Sequence, residues 1–154
     1  MITVHIALDY DGIDISCPRM EALVQGICSQ FDIAEAMVSI AVLDDASICH
    51  CNKEFLDREG TTDCFSFDLS DDQAENGQRV FEVIVNGEKA RQEAARRGHA
   101  CEAELALYIT HGMLHHLGFD DQDPQSAYLM HAREDEILQQ FGYGIVYNSG
   151  NPNA

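Results

Sequence analysis

The sequence predicts an α+β fold: a four-stranded mixed sheet packed with helices, around a central buried helix whose histidines are spaced to bind a metal. Three observations predict it. Four short apolar runs read as strands, one of them (residues 62–69) alternating cleanly between two faces. Between the runs, apolar residues recur at helical spacing. One segment, Glu102 to Leu117, is apolar on most sides, as expected of a helix covered all round.

The elements follow in order. Residues 2–8, ITVHIAL, form the first strand. Pro18 suits a first helical turn and opens a helix through about Phe31, with Met20, Leu23, Val24, Ile27 and Phe31 on one face. Residues 36–43, AMVSIAVL, are the second strand, followed by a short helix from about Asp45 to Asp57. In residues 62–69, TDCFSFDL, Phe65, Phe67 and Leu69 face one way and Cys64, Ser66 and Asp68 the other. The polar segment SDDQAENGQR turns the chain, and residues 80–86, VFEVIVN, return as an antiparallel partner. A helix from Gly87 to Arg97 breaks at Gly98. The covered helix then runs to Leu117, with Gly118 as its terminating residue and Phe119 as the apolar follower. Asp123 and Pro124 are an N-cap and first-turn pair for a last helix ending near Gly142. A single domain, 1–154, accounts for the whole chain, with residues 147–154 expected to fray.

Composition narrows the function. No run approaches the roughly 18 apolar residues of a membrane span, and the N-terminus lacks a signal-peptide pattern, so a soluble, cytoplasmic protein is expected. The six cysteines then fit reduced thiols: Cys49 and Cys51 form C-x-C, and no second pair stands at zinc-ribbon spacing. Nine basic residues face 27 acidic ones, a net charge of −18. Such a field repels phosphate backbones, so an RNA substrate has to be met by a metal or a local basic patch. Lys89, Arg91, Arg96 and Arg97 are the best such cluster, though clusters of this kind usually form a solvated face.

The segment LYITHGMLHHLGFDD carries the chemistry. His111 and His115, four apart, project from one helical face about 6 Å apart, close enough for both imidazoles to reach one ion. Gly118 stops the helix, and Asp120 or Asp121 returns an oxygen to the same place. Three protein ligands leave a fourth position open, as in a catalytic zinc site. Against this, a histidine pair on a covered helix can equally hydrogen-bond carbonyls. The protease motif H-E-x-x-H needs a glutamate where Gly112 stands, which disfavours a metalloprotease or other small hydrolase. Glu134 lies on the apolar row Ala127, Met130, Glu134, Ile137, Phe141. It is either a partly exposed edge or a carboxylate accepting the Nδ1–H of a metal-bound histidine. His116 points about 100° away from His115.

HGMLHHLGFDD followed by MHAREDEIL resembles the signature of the YbeY family, His-Gly-x-Leu-His-x-x-Gly-Tyr-Asp-His and then Met-x-x-x-Glu and Ile-Leu. Upstream, NKEFLDREGTTDCFSF and FEVIVNGEKARQEA resemble two further family segments in the expected order, so the match spans about residues 40–142. The resemblance implies a zinc-dependent, single-strand-specific endoribonuclease that matures the 3′ end of small-subunit ribosomal RNA and serves ribosome quality control. Ribosomal RNA and the ribosome are then its partners, and neither membrane nor DNA is expected. It also implies His111 and His115 as metal ligands, with Asp121 standing where the family has its third histidine. A His-His-Asp set still suits Zn²⁺, but the anion lowers the net charge of ion plus ligands by one, which favours easier use of Mn²⁺. Leu56 stands where many members carry a phosphate-directed arginine, and Arg58, two positions on, is the candidate substitute. A ribosome-associated binding factor with a mainly structural metal is the competing reading.

Overall fold

The computed structural model describes residues 1–71 and 77–147. The strands are β1 (Ile2–Leu8), β2 (Ala36–Leu43), β3 (Cys64–Asp68) and β4 (Arg79–Asn86). The helices are α1 (Cys17–Gln30), α2 (Asp45–Leu56), α3 (Gly87–Arg97), α4 (Cys101–Leu114) and α5 (Pro124–Gln140). The sheet order is β1-β2-β4-β3. β1 and β4 run parallel to β2, and β3 pairs antiparallel with β4, with Phe65 opposite Ile84. The expected α+β fold with a four-stranded mixed sheet is therefore present, and β3 is an edge strand. Part of the expected polar turn, residues 72–76, lies outside the described residues.

The register fixes which face is buried. Val38, Ile40 and Val42 of β2 and Phe81, Val83 and Val85 of β4 point to one side, against α1, α4 and α5. Ile84 points to the other, where Ile48 of α2 and Phe65 of β3 cover it. α4 lies across the larger core with Leu105, Ile109, Met113 and Leu114 fully buried. Each such side chain contributes about 1.5–3 kcal/mol by leaving water, and truncating Leu114 to alanine costs about 2–5 kcal/mol. Gly112 lets α4 approach the sheet. A Cβ there meets Cys64 Sγ at 2.8 Å and the side chains of Ser66 and Val83 at 3.3 Å. A glutamate at this position has nowhere to go, which gives the sequence argument against a protease motif a steric basis.

α4 ends three residues before the expected Leu117. Beyond Leu114 the chain tightens into turns, with His116 N–H donating to Met113 O and Leu117 N–H to Leu114 O, both at 3.0 Å. Gly118, at φ 98°, makes the reversal, and Phe119 N–H closes back on Leu114 O. β3 is also shorter than expected, because Thr62 and Asp63 belong to the loop before it and Leu69 follows it. All six cysteines are free thiols. No helix among the described residues is long and apolar enough to cross a membrane.

Candidate metal centre

The centre forms where α4 runs out. His111 occupies its last turn and His115 its C-cap, one helical turn apart, with ring centroids 4.6 Å apart. Their Nε2 atoms lie 3.0 Å from each other. The reversal at Gly118 then brings Asp121 Oδ2 to 3.6 Å from His111 Nε2 and 3.9 Å from His115 Nε2. The connecting loop is pinned at both ends. Phe119 packs edge-on against Phe31, and Asp123 caps α5 by accepting Ser126 N–H and Oγ–H, both at 2.8 Å. Asp120 accepts from Gln122 N–H at 3.2 Å within this loop; the oxygen facing the two imidazoles belongs to Asp121. The donors suit a divalent ion. A point equidistant from the three atoms lies roughly 2.1 Å from each, inside the ~2.0–2.2 Å range of zinc to imidazole nitrogen and carboxylate oxygen.

Glu134 stands behind the centre. It has no exposed surface, so the edge reading of the α5 stripe does not hold. His111 Nδ1–H donates to its Oε2 at 2.6 Å, and His131 Nδ1–H to its Oε1 at 2.7 Å. An ionised carboxylate only accepts, so its contact fixes the proton of His111 on Nδ1 and leaves Nε2 bare toward His115 and Asp121. Burial opposes ionisation of Glu134, but the two imidazole hydrogen bonds outweigh it and hold its pKa below the usual range. Burial likewise opposes charging His111, and the hydrogen bond and charge of Glu134 outweigh it, so its pKa is raised. For His115, burial and the neighbouring His111 together lower the pKa. The two rings face each other, so both cannot be charged at once.

A groove of about 530 Å³ opens from His115 along the free edge of β3. Arg58, Leu56, Thr61, Ser66 and His116 are among its lining residues. The loop carrying Arg58 is held by two buried asparagines that the sequence reading did not single out. Asn52 Nδ2–H donates to Gly60 O at 3.1 Å, while Asn86 Nδ2–H donates to Asp45, Thr61 and Thr62 O. A buried amide at a helix or strand end was the available signal. The guanidinium of Arg58 is exposed and has no ion-pair partner among the described residues, whereas Glu59 beside it is paired with Lys53 at 3.1 Å. Ser66 both lines the groove and meets His116 Nε2 at 2.9 Å. His116 packs on Phe81 and stays out of the cluster.

Two of the four basic residues of the α3 cluster are otherwise engaged. Arg96 pairs with Glu93, and Arg97 turns inward to Glu104 and to the carbonyls of Val146 and Tyr147.

Comparison with known proteins gives the family and the fold. The sequence profile described as Endoribonuclease YbeY matches residues 6–142. A protein of Macrococcus caseolyticus named Endoribonuclease YbeY is 31% identical over 149 residues, covering 92% of this chain and 97% of its own. Its namesake from Lysinibacillus sphaericus is 33% identical over 134 residues, covering 81% and 85%. Among solved structures, the solution structure of a Thermotoga maritima protein superposes with a TM-score of 0.60 at 19% identity, covering 92% of this chain and 89% of that one. That likeness speaks for the fold.

Proposed function

This chain belongs to the Endoribonuclease YbeY family, and from that premise we propose that it is a metal-dependent endoribonuclease specific for single strands, acting on ribosomal RNA at the 3′ end of the small-subunit species. The observation that carries the metal dependence is the convergence of His111 Nε2, His115 Nε2 and Asp121 Oδ2 around one point at bonding distance from all three. These residues hold the ion, Zn²⁺ in the first instance with Mn²⁺ accepted. A divalent cation held there would supply Lewis acidity for phosphodiester cleavage.

The chain's own groups do the rest. Glu134 keeps the Nδ1 proton on His111 and so presents its bare nitrogen. Arg58 meets the RNA phosphate from the groove wall, where a net charge of −18 otherwise turns a polyanion away. An extended strand suits the groove, since its floor lies along an open sheet edge rather than in a closed cavity. The work is placed in the cytoplasm, on the ribosome or its precursor.

The test is cleavage of a single-stranded ribosomal RNA 3′ segment by zinc-loaded protein, beside His111→Ala, His115→Ala and Arg58→Ala. Cutting that requires both histidines and weakens with Arg58→Ala is expected. Leu56 and the acidity favour one competing reading, a ribosome-associated factor with a structural ion. Zinc binding with undiminished RNA binding and no cleavage selects it.

A further inference from the structure

The two oxygens of Glu134 serve two different imidazoles. Oε2 takes the proton of His111, across from α4, and Oε1 takes that of His131, one turn earlier on α5. At 2.6 and 2.7 Å each imidazole is at hydrogen-bond distance from a different oxygen of the one carboxylate. The trio His111, His131 and Glu134 is therefore a hydrogen-bonded bridge rather than a second ion site.

His131 is itself held. Tyr147 stacks on it face to face, with centroids 3.5 Å apart and planes 7° from parallel. The strap carrying Tyr147 is tied down on both sides. Asp135, itself buried, accepts Val146 N–H at 3.1 Å and Tyr147 N–H at 2.9 Å, and Arg97 donates to both carbonyls. Of the tail expected to fray, Tyr147 falls among the described residues, and it is fastened.

A carboxylate with one oxygen free can rotate and carry its hydrogen-bonded partner with it. One clamped at both oxygens cannot. We propose that His131, held by Tyr147, is a positioning residue for the divalent-cation centre: it fixes the plane of Glu134 and through it the ring of His111. The proposal rests on His111, His115 and Asp121 being the ligands.

The experiment measures Zn²⁺ affinity of the full chain by chelator competition, with the d–d absorption of the Co²⁺-loaded chain as a second readout. His131→Leu removes the donor and should weaken zinc binding severalfold, short of the roughly 10–100-fold that follows loss of the group bonded directly to a ligating histidine. His131→Asn places an amide N–H where Nδ1–H stood and should restore both affinity and the cobalt spectrum. Tyr147→Leu should weaken binding less than His131→Leu. Unaltered affinity in His131→Leu overturns the proposal. If His131→Leu does not fold, His131→Asn binding no better than His131→Gln, whose amide sits one carbon farther out, overturns it instead. The underlying ligand reading fails separately, by His111→Ala binding zinc as tightly as the unsubstituted chain.

Discussion

Both ends of α4 bury a glutamate, and the two are held by different chemistry. At the first turn Glu104, 2% exposed, is gripped by Arg97 and His99. Beyond the last turn Glu134, 0% exposed, is gripped by His111 and His131. Arg97 is permanently charged, donates also to the carbonyls of Val146 and Tyr147, and as a pure donor has no lone pair to offer a cation. An imidazole that gives Nδ1–H to a carboxylate still has Nε2, and that of His111 looks out on His115 and Asp121. The same buried anion is a staple at one end and the back wall of a site at the other. What separates them is whether its partner has a second face.

The sharpest way to break this comparison is to remove the staple. Glu104→Ala leaves Arg97 and His99 without their anion in a nearly dry environment, and breaking such a pair costs about 3–5 kcal/mol. Urea denaturation of metal-free protein should show that loss, while zinc affinity of the folded fraction falls less than in Glu134→Gln. A drop in affinity equal to that of a ligand mutation merges the two ends into one system.

The reciprocal change is smaller in stability and larger in function. Glu134→Gln keeps the volume and one acceptor but presents an amide to one of the two Nδ1–H donors. Zinc affinity should fall by about 10–100-fold, read by chelator competition. An affinity equal to that of the unsubstituted chain makes Glu134 a second staple.

How much of this contrast was visible beforehand follows from which forces are local. The histidine pair, the glycine stop at Gly118 and the Asp123–Pro124 start are set by helix geometry and capping within a few residues, and each stands where the pattern put it. The position of Glu134 on an apolar stripe marked it, but its burial depends on α4 lying against α5, which no spacing encodes. Glu104 had no visible partner because Arg97 comes from another helix and His99 from a loop; His131 meets Glu134 within its own helix, but the Tyr147 that holds it comes from the tail. Arg97 was read as part of an outward basic cluster for the same reason: its acceptors lie seven and about fifty residues away. The end of α4 was overread because apolar spacing continues through Leu117 while the backbone has already tightened at His115.

Between the two glutamates, Gly112 sets how closely the helix meets the sheet. Gly112→Ala drives a methyl toward Cys64 Sγ and Ser66 and, by overpacking, should cost about 1–3 kcal/mol in denaturation. Because the displaced atoms belong to β3, the groove floor shifts with them. RNA cleavage should fall more than zinc affinity, which sharpens the division between the ion's support and the strand's track. Equal losses mean that the groove and the centre move as one body.

A third carboxylate, Asp121, completes the comparison from outside. Its side chain is 42% exposed and faces His111 Nε2 at 3.6 Å, so under the proposed ligand set its charge acts on the reaction rather than on the fold. Replacing it by histidine removes one negative charge from the ligand set and raises the net charge of ion plus ligands by one. The attacking hydroxyl then loses its proton more readily, and the rising limb of the pH–rate profile moves to lower pH in Asp121→His. The unsubstituted chain is accordingly expected to need the more alkaline solution for the same fraction of its maximal rate. Stability of the metal-free protein should scarcely move, since an exposed carboxylate facing imidazoles at 3.6 and 3.9 Å contributes little to it. Coincident profiles, or a limb displaced to higher pH in the variant, place Asp121 outside the ligand set.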